Sequence, residues 1–113
     1  MTSRLHFRVE ATASDSRARA CRFRTLHGEV ATTLFMPVGT QATVKGLTVE
    51  ELEAAGSHVL LANAYHLLLR PGLDVFRRFD GIHRFMNWRR SVLTDSGGYQ
   101  VFSLPNDRVI TED

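Results

Sequence analysis

A chain of 113 residues can bury one small core but is too short to close an eight-stranded α/β barrel, which takes about 250 residues. Hydrophobic residues at 43% and charged residues at 23% are ordinary for a globular protein in water, no apolar run nears the ~20 residues that cross a bilayer, and MTSRLHFRVEA lacks an apolar secretion core, so a cytoplasmic protein is expected. The net charge is only +2, yet Lys45 is the one lysine among 14 basic residues and the rest are arginine.

Arginine grips phosphate with two donors and stacks on bases, so this bias suits a nucleic-acid partner, although codon composition produces the same bias. The local candidate for a phosphate-facing patch is Arg84, Arg89 and Arg90 beside Trp88, whereas Arg77 and Arg78 read as a solvated helix face. Cys21 is the single cysteine, which excludes an internal disulfide and a thiolate cluster. His6, His27, His58, His66 and His83 form no helical i, i+4 pair and none neighbours Cys21, so they read as capping or surface residues and no metal site is expected in this chain.

The first third predicts β structure. Leu5, Phe7 and Val9 alternate with polar residues, and Cys21 and Phe23 resume that alternation beyond an arginine-rich connection. Leu26-His27-Gly28-Glu29 predicts a turn, and Val30 to Val38 a returning strand that stops at Pro37 and Gly39. Thr48-Val49-Glu50-Glu51 is a capping box, with the helix running to about Ala55 and stopped by Gly56. Ser57 to Ala62 predicts a short apolar strand with Asn63-Ala64-Tyr65-His66 at its carboxyl end. Pro71-Gly72 breaks the next segment, and Leu73, Val75, Phe76 and Phe79 have helical spacing ended by Asp80-Gly81. Ser91 to Thr94 predicts another strand, and residues 107–113 a further one. Alternating β and α after residue 33 argues for right-handed βαβ units with about three parallel strands. Such a sheet leaves an open edge that invites association, so a poorly soluble or partly disordered polypeptide is expected.

The most informative stretch is Val92-Leu93-Thr94-Asp95-Ser96-Gly97-Gly98-Tyr99-Gln100. It reads as a strand that ends in a glycine loop, the place where parallel α/β folds collect ligands. The glycines would let backbone approach a ligand, Asp95 could exchange a proton, and Tyr99 could offer a flat face to a ring. Asp-Ser-Gly-Gly is equally good turn chemistry, because Asp and Ser cap amides and glycine takes positive φ.

Six blocks in order resemble the tRNA-guanine transglycosylases, the queuine or bacterial tRNA-ribosyltransferases. They are Phe35-Met36-Pro37-Val38-Gly39-Thr40-Gln41 with Val44-Lys45-Gly46-Leu47-Thr48, then Asn63-Ala64-Tyr65-His66-Leu67, Leu69-Arg70-Pro71-Gly72, Phe85-Met86-Asn87-Trp88, and Leu93 through Leu104. They span nearly all of residues 35–113, whereas the first thirty residues match in layout alone.

The resemblance implies an α/β fold: the N-terminal part of a (β/α)8 TIM barrel, over residues 33–113, preceded by an antiparallel β hairpin region over residues 1–32. It implies exchange of guanine at the tRNA wobble position for a 7-deazaguanine, 7-aminomethyl-7-deazaguanine in bacterial members and queuine in eukaryotic ones, within queuosine biosynthesis. One glycosidic bond replaces another, so no ATP or redox cofactor is implied. By motif position Asp95 is the general acid/base, Ser96, Gly97 and Gly98 shape the base pocket, Tyr99 stacks on the base, and Asn63 is a candidate ribose contact. The family's nucleophilic aspartate and its structural zinc site of three cysteines and a histidine would lie beyond residue 113. Phe85 and Trp88 resemble a segment used in family homodimers, or else form a buried aromatic pair. These expectations describe an N-terminal fragment that is inactive alone. The alternatives are a non-catalytic tRNA-binding partner subunit and, at a lower rank, the archaeal type acting at another tRNA position.

Overall fold

Residues 4–104 are described by the structure, a computed structural model. The strand expected over residues 107–113 lies outside them. Three N-terminal strands, β1 (Arg8–Thr12), β2 (Arg19–Thr25) and β3 (Gly28–Ala31), form an antiparallel sheet in the order β1-β2-β3. The β2–β3 turn closes where the sequence predicts it, with Thr25 opposite Gly28 and Gly28 at φ +123°, a conformation that side chains resist. Strand β1 is exposed along its whole length, so the alternation of Leu5, Phe7 and Val9 buries neither face. Only Cys21 and Val30 of this sheet reach the interior.

The strand expected over Val30–Val38 divides in two. Strand β3 stops at Ala31, and the chain then crosses to a second sheet, where Val38 forms a single parallel bridge with Leu61. Gly39 N donates to the Leu61 carbonyl (2.7 Å) and Leu61 N donates to the Pro37 carbonyl (2.9 Å). Proline has no N–H for a ladder but keeps its carbonyl, so it can end a strand on the accepting side. Strands β4 (Val59–Asn63) and β5 (Ser91–Asp95) continue the parallel sheet. The parallel arrangement expected from the βα alternation is therefore present as two strands flanked by this bridge, in a mixed α/β chain.

The capping box forms as predicted. Thr48 Oγ1 accepts from Glu51 N (3.2 Å), and Thr48 N donates to Glu51 Oε2 (2.7 Å) at the start of α1 (Val49–Ala54). Helix α3 (Leu73–Arg78) lies where the spacing of Leu73, Val75 and Phe76 predicts it. Three further helices were not read from the pattern: α2 (Ala64–Leu69), α4 (Ile82–Met86) and α5 (Gly98–Ser103). Each is five or six residues long, too short to repeat an apolar period.

Alternate residues of β4 and β5 divide the parallel sheet into two faces. Leu60 and Ala62 face a core with Ala42, Leu52, Leu67, Met86 and Trp88, against which Val92 also packs. The opposite face carries Leu61, Asn63, Leu93 and Asp95. The antiparallel sheet sits at the amino ends of these strands: Thr25 Oγ1 and Ser91 Oγ lie 2.7 Å apart in a hydrogen bond. The carboxyl ends of β4 and β5 are left clear of it, and there the candidate site is built.

Candidate active site

The register of the parallel ladder decides what meets at the carboxyl end. Val59 pairs with Ser91 and the count runs without a bulge to Asn63 opposite Asp95. Partners in a parallel pair point to the same face, so both side chains emerge together. Asn63 Nδ2 donates to Asp95 Oδ2 (3.2 Å) and to Gln100 Oε1 (3.3 Å). Its own Oδ1 accepts from His66 N (3.3 Å) and so caps α2. One side chain thus ties β4, β5, α2 and α5 together.

Asp95 is held at both oxygens. Oδ1 accepts from Gly97 N (3.0 Å), an Asx turn, while Oδ2 takes the Asn63 amide. The residue remains exposed, so the carboxylate is fixed in direction yet open to an incoming group. Ser96 Oγ accepts from Gly98 N at 3.4 Å. Tyr99, at 78% exposure, presents its ring to solvent in the first turn of α5, four residues after Asp95. The turn-chemistry reading of Asp95-Ser96-Gly97-Gly98 is therefore realised, and it coexists with an accessible acid.

The two glycines have different reasons. Gly97 takes φ +76° and is buried; a Cβ there would stand 2.5 Å from the Tyr65 Cβ and 3.0 Å from the Tyr65 amide nitrogen. Its missing side chain makes room for Tyr65 of α2. At Gly98 a Cβ would meet nothing nearer than Ser96 Oγ at 3.6 Å, so the space above it is open.

Sequence reasoning missed two members of the site. Tyr65 packs against Gly97, and Gln100 shares the Asn63 amide with Asp95. Gln100 stands at the third position of α5, where a side chain turns back toward the helix start, and that signal was available once α5 was recognised.

The arginine patch is not assembled as expected. Arg84 pairs with Asp80 (3.3 Å), and Arg90 turns inward, its Nη1 donating to the Ser57 carbonyl while its guanidinium lies 5.9 Å from the Trp88 ring centre. Arg77 pairs with Asp74 on an open helix face. Trp88 is 1% exposed and donates from Nε1 to the Ser91 carbonyl (3.0 Å), so it has no surface for a subunit contact. Phe85 is half-buried, edge-on to Phe76 and Phe79. Trp88 is thus buried, while the ring partners found for Phe85 are Phe76 and Phe79. Among the described residues no group of three or more His, Cys, Asp or Glu is placed to hold a metal, and Cys21 is buried in β2. None of the helices among them is long and apolar enough to cross a membrane.

A family profile described as queuine tRNA-ribosyltransferase matches residues 14–113. The chain belongs to the queuine tRNA-ribosyltransferase family. Asn63, Asp95, Ser96, Gly97, Gly98 and Tyr99 all lie within the matched stretch. Among similar proteins, the queuine tRNA-ribosyltransferases of Natranaerobius thermophilus and Syntrophobacter fumaroxidans are each 55% identical, over 108 and 109 residues, or 96% of this chain. That of Koribacter versatilis is 55% identical over 113 residues, 100% of the chain. In all three the match covers 29% of the relative, so the chain spans under a third of the queuine tRNA-ribosyltransferases it resembles.

Proposed function

We propose that this chain forms the N-terminal part of a tRNA-guanine transglycosylase, a pentosyltransferase that replaces guanine at the tRNA wobble position with a 7-deazaguanine, either 7-aminomethyl-7-deazaguanine or queuine. In this reading the bridge at Val38, β4 and β5 are the opening strands of a (β/α)8 barrel, and Asp95 stands on its catalytic, carboxyl-terminal rim. The observation that carries the proposal is the pairing of Asn63 with Asp95 across adjacent parallel strands, which leaves a fixed and exposed carboxylate at the carboxyl end of β5.

Exchange breaks the bond from ribose C1′ to guanine N9 as positive charge develops at C1′. A second carboxylate, from the part of the family sequence that these residues do not include, holds the ribose covalently, as in retaining glycosidases. Asp95 serves the base: as an acid it delivers a proton to departing guanine, and as a carboxylate it takes one from the corresponding ring nitrogen of the incoming deazaguanine. The proton returns to Asp95 and no cofactor is consumed. Asn63 and the Gly97 amide aim the carboxylate, and Tyr99 offers its ring to a base drawn out of the anticodon stack. Gly98, with open space where a Cβ would be, lets the base lie close to the backbone.

The test is a graft. The 113 residues replace the matching segment of the Natranaerobius thermophilus relative, and incorporation of labelled guanine into tRNA is followed. Incorporation at a rate comparable to the parent is expected. A folded graft that exchanges no base would contradict the proposal.

A further inference from the structure

The tip of the N-terminal hairpin carries a second concave surface. A cleft of about 840 Å3 opens beside the β2–β3 turn, walled by Leu5 and Leu26 and rimmed by Arg4, His6, Arg24 and His27. Arg24 N donates to the Leu5 carbonyl (2.7 Å), which sets residues 4–6 alongside the end of β2. The His27 ring stacks on His83 of α4, with centroids 3.7 Å apart and planes 7° from parallel, so the tip is seated on the helical layer.

The charge at this rim is unbalanced. Two other arginines of the same sheet are neutralised: Arg22 reaches Glu10 (2.9 Å) and Glu29 (3.0 Å), and Arg8 reaches the same two carboxylates at 3.3 and 3.5 Å, whereas Arg19 at the far end of β2 forms no ion pair among the described residues. Arg24 stands directly opposite Glu29 in the ladder, yet Glu29 turns to Arg22 and Arg8. Among the described residues no carboxylate lines the cleft, and neither Arg4 nor Arg24 forms an ion pair. Two guanidiniums and two imidazoles thus surround an apolar floor, with Leu26 wholly exposed at the tip.

We propose that this cleft binds the phosphodiester backbone of RNA, with Arg4 and Arg24 on phosphates and the leucines against sugar or base. Guanidinium donors are suited to paired phosphate oxygens, and phosphate contacts position a nucleic acid without reading its sequence. The choice of RNA over a free phosphate rests on the function proposed above. Equilibrium binding is read separately from base exchange, so a chain that binds no RNA and a graft that exchanges no base are different failures.

The experiment follows binding of a fluorescent anticodon stem-loop RNA to the 113-residue chain by anisotropy over a series of salt concentrations. The double variant Arg4→Ala/Arg24→Ala is expected to bind on the order of tenfold more weakly at low salt, with a salt slope shallower by about one to two. Arg4→Lys/Arg24→Lys should keep most of the slope, and Arg77→Ala/Arg78→Ala, which removes equal charge from α3, should leave binding unchanged. Equal losses from the α3 and cleft variants, or no loss from the cleft variant, would overturn the proposal. So would a titration in which inorganic phosphate shifts the Arg4 and Arg24 amide resonances while the RNA does not. If the alanine pair alters the circular dichroism spectrum, photo-crosslinking of thiouridine RNA to the unaltered chain decides. Cross-links within residues 4–27 are expected, and cross-links confined to other residues would overturn it.

Discussion

Asn63 and Asp95 are 32 residues apart in sequence, yet they are register partners at the ends of two parallel strands and are joined by a 3.2 Å hydrogen bond. The same asparagine caps α2 and reaches Gln100, so the direction of the Asp95 carboxylate is tied to the placement of two helices. Asn63, the candidate ribose contact, is in this structure a hydrogen-bond partner of Asp95.

Gly97 should be the least replaceable residue of the loop. Gly97→Ala adds a Cβ at 2.5 Å from Tyr65 and forces a side chain into φ +76°. Overpacking and positive-φ strain together predict a loss of about 2–4 kcal/mol in urea unfolding. Gly98→Ala, with its nearest contact at 3.6 Å, should change stability by less than about 0.5 kcal/mol. Equal effects from the two substitutions would contradict the packing described.

The start of α1 should report on its cap. Thr48→Ala removes the acceptor for Glu51 N and is expected to cost about 1 kcal/mol. The backbone N–H of Thr48, then its side chain, hold the Glu51 carboxyl below its ordinary value of 4.5. A carboxyl lowered by folding stabilises at neutral pH, and that contribution disappears as pH falls from about 4.5 through the folded value. Glu51→Gln should therefore lose part of the acid dependence seen in urea melts of the unaltered chain. An identical acid limb in the two would be evidence against the box.

His83 should give the opposite end of the scale. Burial, and then the stacked His27, push it below its ordinary 6.5, although its Nε2 also donates to the Arg90 carbonyl (3.0 Å). The unfolded chain then takes up the proton first. Stability is flat above about pH 6.5 and declines as pH falls from there toward the folded value. Thermal melts at a series of pH values should show this decline, reduced in His83→Gln. A melting temperature that rises on mild acidification would contradict the stacking.

How much of this was readable in advance follows from the range of each interaction. The Thr48 cap, the stop at Gly56 and the turn at Gly28 rest on rules a few residues wide, and all three form. Strands β4 and β5 were apparent from short apolar runs, and Asp95 from its place behind one of them. Helix α5 was hidden because Gly97-Gly98 reads as a break, whereas Gly97 in fact starts that helix. The reason for Gly97, the partner of Asp95 and the burial of Trp88 all depend on contacts between distant segments. The arginine patch failed likewise, because Arg84 and Arg90 found Asp80 and the Ser57 carbonyl.

Whether Asp95 moves the proton of the exchanged base can be measured in the grafted enzyme. Asp95→Asn keeps an acceptor for Gly97 N and hence the turn, but its amide nitrogen would face the Asn63 Nδ2 donor, and it cannot take up or deliver the proton. A retained fold at a somewhat lower melting temperature is expected, together with a loss of guanine incorporation into tRNA on the order of 10²-fold or more. Incorporation near the unaltered rate, in a variant that is properly folded, would remove Asp95 from this role.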